Sequence, residues 1–133
     1  MNIITVVIAD DHSIVRDGIK SLISESNKIE ILGEAADGEE AIKQVKKLSP
    51  EILIADISMP KMSGIEVAAI VAKKYPKTKV IIFSMHEDEE YITKAIESKA
   101  SGYISKNSEK EEFLLALQTV ARGGQYFSSA ISQ

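Results

Sequence analysis

Hydrophobic and polar positions along the chain follow two alternating patterns. Five short, mostly apolar segments have the length expected of β-strands, and each is followed by a segment with apolar residues at helical spacing. The predicted strands span Ile4–Ala9, Ile29–Ala35, Ile52–Ala55, Val80–Phe83 and Gly102–Ser105. Strands that alternate with helices are joined by right-handed crossovers into a parallel sheet. The pattern therefore predicts an α/β fold with a doubly wound sheet.

The residues of each predicted strand indicate its place in the sheet. The first, third and fourth strands are nearly uninterrupted apolar runs, which is typical of strands covered on both faces. The second strand carries Glu30 and Glu34 between apolar residues, and the fifth is short, so both are predicted to lie at edges. A five-stranded, flavodoxin-like parallel sheet of order 2-1-3-4-5 satisfies this arrangement. Ligands bind such a sheet between strands one and three, where the strand order reverses.

Helix boundaries are predicted from capping residues and from one glycine. Ser13 is placed to cap the first helix, and Gly123 is expected to end the fifth. Capping boxes, in which two side chains three residues apart bond each other's backbone, are predicted at Asp37–Glu40, Ser63–Glu66 and Ser108–Glu111. A single domain is therefore predicted to cover residues 1–124, and residues 125–133 to begin a linker or a C-terminal tail.

Polar side chains follow the carboxyl ends of four predicted strands. The first strand is followed by Asp10 and Asp11, the third by Asp56, the fourth by Ser84 and the fifth by Lys106. Singly, each has an ordinary explanation, because Asp and Ser often bond turn backbone and a Lys is usually a solvated surface charge. The carboxyl ends of parallel strands lie along one edge of a sheet, so these side chains are predicted to converge on a common site.

The chemistry of this set favours phosphoryl transfer. Three carboxylates in one crevice repel one another unless cations lie close by. Such an oxygen-rich site suits Mg²⁺, which prefers hard ligands and keeps several waters. Lys106 offers a second positive charge, and Ser84 offers a hydroxyl donor. A carboxylate flanked by these groups can attack a phosphoryl group and hold the acyl phosphate, and Asp56 is the candidate nucleophile.

Composition excludes several classes of protein. The 133 residues suit one domain, and the net charge of −4 disfavours nonspecific binding to nucleic acid. The absence of Cys excludes disulfides, thiolate catalysis and Cys-ligated metal sites. The N-terminal apolar run reaches Asp10 too soon for a signal peptide or a membrane span. We therefore expect a cytoplasmic protein without a membrane partner.

The order and spacing of these motifs resemble the receiver domain of bacterial two-component response regulators. The resemblance covers nearly all of the chain. It is carried by Asp10-Asp11-His12, Asp56-Ile57-Ser58-Met59-Pro60 followed by Ser63-Gly64, Ser84, and Ala100 to Lys106. It implies that Asp56 accepts a phosphoryl group from the phosphohistidine of a sensor histidine kinase.

The resemblance also implies a magnesium site. Asp11, Asp56 and the backbone carbonyl of Ser58 would hold the ion directly, and Asp10 would act through water. The protein is expected to be a phosphoacceptor that assists its own phosphorylation and dephosphorylation, and not an enzyme with a separate substrate.

A conformational switch is the third implication of the resemblance. Ser84 and Lys106 would bind the phosphoryl oxygens, although Ser84 stands where Thr is commoner in the family. Tyr103 matches the aromatic residue that turns inward when Ser84 moves toward the phosphate. On activation, either the face of helix four, strand five and helix five or helices one and five are expected to mediate formation of a homodimer or docking of an effector.

Three segments are most similar to receivers of the LuxR, FixJ and NarL type: Asp11-His12-Ser13, Ser84-Met85-His86 and Gly123 to Ser128. Regulators of that type bind DNA through a helix-turn-helix domain. Because nine residues follow Gly124, the chain is interpreted as a receiver cut at its linker or as a stand-alone receiver. Contact with DNA would then require a helix-turn-helix domain absent from this chain.

The same residues argue against other functions. A haloacid dehalogenase-type phosphatase has a second Asp two residues after its nucleophile, where this chain has Ser58. An FMN-binding protein needs a phosphate loop after the first strand, where Asp10 and Asp11 would repel the phosphate. A nucleotide-binding P-loop motif is absent from the sequence. A receiver-like interaction module that takes no phosphate stays open, although the intact Asp56 and Lys106 argue against it.

Overall fold

A computed structural model of the protein, which describes residues 3–127, contains one parallel sheet with five helices. The strands are β1 (Ile4–Ala9), β2 (Ile29–Ala35), β3 (Ile52–Ala55), β4 (Lys79–Ser84), β5 (Gly102–Ser105) and β6 (Tyr126–Phe127). The helices are α1 (Ser13–Ser24), α2 (Gly38–Leu48), α3 (Gly64–Lys74), α4 (Glu89–Glu97) and α5 (Lys110–Ala121). The sheet order is β2-β1-β3-β4-β5-β6, and every pairing is parallel. The predicted order is therefore confirmed, and a short sixth strand is added to it.

The two faces of the sheet carry separate hydrophobic cores because successive strand residues point to opposite faces. In β1, Val7 belongs to the core beneath α2, α3 and α4, whereas Ile8 belongs to the core beneath α1 and α5. The strands β1, β3 and β4 are buried on both faces, as their apolar runs predict. Because helices cover both faces of the sheet with apolar side chains, polar side chains are accommodated at the carboxyl ends of the strands. Among residues 3–127, no helix is long and apolar enough to cross a membrane.

The helix starts agree with some of the capping predictions and correct others. The capping box of Ser63 and Glu66 is confirmed, with both reciprocal bonds present at 3.1 Å. The carboxylate of Asp37 accepts a hydrogen bond of 2.8 Å from the N–H of residue 40 at the start of α2. The predicted caps at Ser13 and Ser108 are wrong, because the N-cap positions of α1 and α5 are held by His12 and Glu109.

The chain after α5 turns back onto the sheet and forms β6. Gly123 has a φ of +94°, in the left-handed region that favours glycine, so its predicted role in ending the helix is confirmed. The N–H of Tyr126 donates to the Ser101 carbonyl at 3.0 Å, and the β6 strand pairs with β5. A Cβ added at Gly102 would lie 2.8 Å from the carbonyl oxygen of Tyr126, which explains the glycine there.

The strand β5 is therefore not an edge strand at its first two residues, contrary to the sequence prediction. The segment predicted as a linker or tail, 125–133, contains the strand β6. Its residues 128–133 lie outside the described part of the chain.

Candidate functional site

The carboxyl ends of the strands bring three of the predicted site residues into direct contact. The ammonium of Lys106, after β5, lies 3.0 Å from Oδ2 of Asp10 and 3.4 Å from Oδ1 of Asp56. All three side chains are largely buried, with exposed fractions of 13% for Lys106, 2% for Asp10 and 9% for Asp56. Because water screens buried charges weakly, the attraction within each of these contacts exceeds that in a surface ion pair, although desolvation of the charges offsets part of it. The lysine thus holds two carboxylates from different strands together.

Burial makes Asp56 an acid whose charge is poorly solvated. Removal from water raises the pKa of Asp56, and the negative charge of Asp10 raises it further, whereas Lys106 lowers it. The N–H of Ile57 donates a hydrogen bond of 2.9 Å to Oδ1 of Asp56. An ionised carboxylate in such surroundings is stabilised by any additional cation and is less hydrated than one in water. Both properties suit a nucleophile that works beside a metal ion.

The loop after β3 packs closely enough to expose only part of Asp56. A Cβ at Gly64 would lie 2.2 Å from the carbonyl oxygen of Asp56, so the start of α3 needs a glycine to approach the site. The N–H of Gly64 also donates to the Ile57 carbonyl at 2.9 Å. Ser58, the predicted carbonyl ligand, lies exposed in this loop. The loop is thereby fixed at the rim of the crevice beside Asp56.

Asp10 and Asp11 form a second group together with His12. Nδ1 of His12 lies 3.2 Å from Oδ1 of Asp10 and 3.1 Å from Oδ1 of Asp11, and one ligand atom from each of the three residues lies within 4.8 Å of the others. Asp56 adjoins this group through Lys106 and is not a member of it. The oxygen donors of Asp10, Asp11 and Asp56 fit the hard-ligand preference of Mg²⁺. Sequence reasoning named His12 within a motif but missed its contact with both acids.

Ser84 and Tyr103 meet through the loop after β4. The side chain of Ser84 is buried, and its Oγ accepts a hydrogen bond of 3.0 Å from the N–H of His86. The phenol of Tyr103 is fully buried and donates to the carbonyl of His86 at 2.6 Å. Burial also raises the pKa of Tyr103. Tyr103 therefore lies inside the domain in this structure, tied to the same residue as Ser84, and is not a half-exposed aromatic at a sheet edge.

Arg16 is a second residue near the site that sequence reasoning missed. It lies on α1, and its guanidinium donates to the backbone carbonyl of Asp10 at 2.6 Å. The available signal was its position six residues after Asp10, one turn into a helix that starts beside the site.

Comparison with known proteins gives consistent matches over most of the chain. Residues 6–118 match the response regulator receiver domain. The transcriptional regulatory protein DegU of Brevibacillus brevis is 35% identical over 131 residues, which cover 98% of this chain and 56% of DegU. The oxygen regulatory protein NreC of Staphylococcus aureus is 41% identical over 122 residues, which cover 91% of this chain and 56% of NreC. The chain thus spans about half the length of these curated relatives.

A solved structure extends the match to three dimensions. The crystal structure of a LuxR-family two-component response regulator from an Aurantimonas species superposes with a TM-score of 0.93 at 31% identity, covering 99% of this chain and 94% of that one. The matched segment contains the strand ends that carry Asp10, Asp56 and Lys106. The chain therefore belongs to the response regulator receiver domain family of two-component systems, and it is similar to the receivers of LuxR-family regulators.

Proposed function

We propose that this protein is a cytoplasmic signalling receiver that takes a phosphoryl group on Asp56 from the phosphohistidine of a sensor histidine kinase. The observation that carries the proposal is the position of Lys106, whose ammonium contacts both Asp10 and Asp56. In the transfer, an oxygen of Asp56 forms a bond to phosphorus while the bond from phosphorus to the kinase imidazole breaks. Lys106 can then follow the negative charge from the carboxylate to the phosphoryl oxygens.

Magnesium is the cation that this donor set fits. Asp11, Asp56 and the Ser58 carbonyl would hold it, with Asp10 acting through water. Bound Mg²⁺ would supply positive charge to the phosphoryl oxygens in the transition state. The protein itself would supply the nucleophile, Asp56, and keep it close to Asp10 in a largely buried crevice.

The switch would act through the loop after β4. The Ser84 hydroxyl can donate to a phosphoryl oxygen while its Oγ still accepts from the N–H of His86, so turning Ser84 toward the phosphate would pull on the loop through this bond. Because Tyr103 is bonded to the carbonyl of the same residue, movement of this loop reaches β5 and α4. The response is a two-state rearrangement that favours a homodimer and controls transcription through a separate helix-turn-helix domain.

Phosphorylation by a small donor tests the proposal. Incubation with acetyl phosphate and Mg²⁺ should add one acid-stable, hydroxylamine-labile phosphoryl group, detected by intact mass, and Asp56→Ala should take none. Asp11→Ala should weaken Mg²⁺ binding more than Asp10→Ala, because Asp11 is proposed to ligate directly. An unmodified wild-type protein, or equal modification of Asp56→Ala, would contradict the proposal and favour an interaction module that works without phosphate.

A further inference from the structure

The side chain of Arg16 joins α1 and β2 to the loop that carries the acidic residues. Its Nη1 donates to the carbonyl oxygen of Asp10 at 2.6 Å, and its Nε donates to Oε1 of Glu34 at 2.9 Å. Only 20% of the side chain is exposed. One guanidinium thus bonds two acceptors from different elements, which its planar arrangement of donors allows.

Glu34 fixes the orientation of this guanidinium. Each of its carboxylate oxygens takes one cationic donor, because Lys20 bonds Oε2 at 2.8 Å while Arg16 bonds Oε1. The hydrogen bond from Lys20, followed by that from Arg16, lowers the pKa of Glu34 against the opposing effect of burial. Glu34 therefore stays ionised at neutral pH and holds Arg16 toward Asp10.

The hydrogen bond from Arg16 to the Asp10 carbonyl helps to fix the orientation of the peptide between Asp10 and Asp11. On the preceding side, the N–H of Asp10 donates to the Ala35 carbonyl at 3.0 Å. The carboxylate of Asp10 is held by Lys106 and by the N–H of His12. The carbonyl of Asp10 belongs to the peptide that leads into Asp11, so a rotation of that peptide would move the Asp11 carboxylate, which is 31% exposed and lies 3.1 Å from Nδ1 of His12.

We propose that Arg16 is a positioning residue for metal binding, which holds the Asp10–Asp11 peptide so that Asp11 presents its carboxylate to the ion. The inference rests on the proposed function, in which Asp11 is a direct ligand. The simpler view treats Arg16 and Glu34 as an ion pair that clamps α1 onto β2. That view predicts a loss of stability alone, whereas a positioning role predicts weaker Mg²⁺ binding in a protein that is still folded.

The test measures Mg²⁺ affinity and phosphorylation separately. Arg16→Met keeps the apolar stem of the side chain and removes the donors, and Glu34→Gln keeps the shape of its partner and removes the charge. The matched control is Lys20→Met, which removes the other partner of Glu34 and leaves the bond from Arg16 to Asp10 in place. Mg²⁺ binding is followed by amide NMR, and the rate of phosphorylation by acetyl phosphate is measured across Mg²⁺ concentrations at a temperature well below unfolding.

Arg16→Met should raise the half-saturating Mg²⁺ concentration by about tenfold, the factor expected for the loss of one charge-assisted hydrogen bond. Its rate at saturating Mg²⁺ should match that of the wild type. Glu34→Gln should shift the concentration in the same direction by a smaller factor, and Lys20→Met should leave it unchanged.

The outcomes separate this inference from the proposed function. Unchanged half-saturation in Arg16→Met and Glu34→Gln, with only a lower melting temperature, would overturn the positioning role. An equal shift in Lys20→Met would also overturn it, because the effect would then follow from general charge. If the wild type binds Mg²⁺ but takes no phosphate, the proposed function fails, while weaker Mg²⁺ binding by Arg16→Met would still support the positioning role.

Discussion

Replacement of Lys106 by Met tests whether this lysine is the internal counter-ion of the site. Met keeps most of the apolar stem and removes the ammonium, so Asp10 and Asp56 lose the cation that lies 3.0 and 3.4 Å from them. With these distances as charge separations and an effective dielectric constant of about 20, each attraction amounts to roughly 5 kcal/mol. Desolvation of the three groups offsets much of that sum, by several kcal/mol per ion.

The net loss is expected at the lower end of the range for a broken buried ion pair. Removal of one partner from such a pair costs about 3 to 5 kcal/mol, and protonation of Asp56 offers partial relief here. We therefore expect the free energy of unfolding to fall by about 3 kcal/mol near neutral pH without divalent cations. A domain of this size has a total stability of about 5 to 15 kcal/mol, so the change is readily measured.

The pH dependence identifies the cause of that loss. Burial already raises the pKa of Asp56, and without Lys106 this pKa should rise further. The loss of unfolding free energy should therefore be largest above that pKa and should shrink as the pH falls below it. Urea unfolding between about pH 5 and about pH 8 in EDTA, with exposed Lys43→Met as control, measures the effect. Mg²⁺ should restore part of the stability at high pH. An equal loss at every pH would show that the packing of the lysine stem, and not its charge, stabilises the site.

Two further substitutions test the electrostatics and the switch. Asp56→Asn should increase the free energy of unfolding at neutral pH in EDTA. The pKa of Asp56 is raised in the folded protein, so ionisation of Asp56 lowers the stability of the wild type as the pH rises through that pKa. The gain in Asp56→Asn should therefore fade in acid, which urea unfolding across pH would measure. A gain of equal size in acid would contradict this account. Tyr103→Phe removes the hydrogen bond to the His86 carbonyl and should lower the unfolding free energy by about 1 kcal/mol, with faster amide exchange in residues 84–88. Unchanged exchange in that loop would separate Tyr103 from the proposed switch.

The strand order and the convergence of the site followed from local sequence patterns. Apolar runs long enough for buried strands fix which strands are central, and parallel connections place their carboxyl ends at one edge. For this reason the contacts of Lys106 with Asp10 and Asp56 were predictable, although the residues are up to 96 positions apart. The capping box at Ser63 was equally predictable, because its two bonds span only three residues.

The remaining features depend on contacts that carry no local pattern. Arg16 and Glu34 are 18 residues apart on a helix face and an edge strand, where charged residues are common without any specific partner. Ser108 has the sequence of a cap, but α5 starts later, because helix ends depend on packing as well as on capping preference. Tyr103 was expected on an edge strand, but it is buried and pairs with Phe127 of β6, a strand of two residues that is too short to predict from periodicity.

The sixth strand has a consequence for anyone who joins this receiver to a new output domain. A fusion point placed after Gly124 would remove Tyr126 and Phe127 and leave the outer backbone groups of β5 without a neighbouring strand. Such an open edge invites pairing with other chains and hence aggregation. The removal would also take away the phenol of Tyr126, which bonds Glu112 on α5 at 3.1 Å. A chimera that retains residues 125–127 keeps the first two residues of β5 paired, so the junction belongs beyond Phe127.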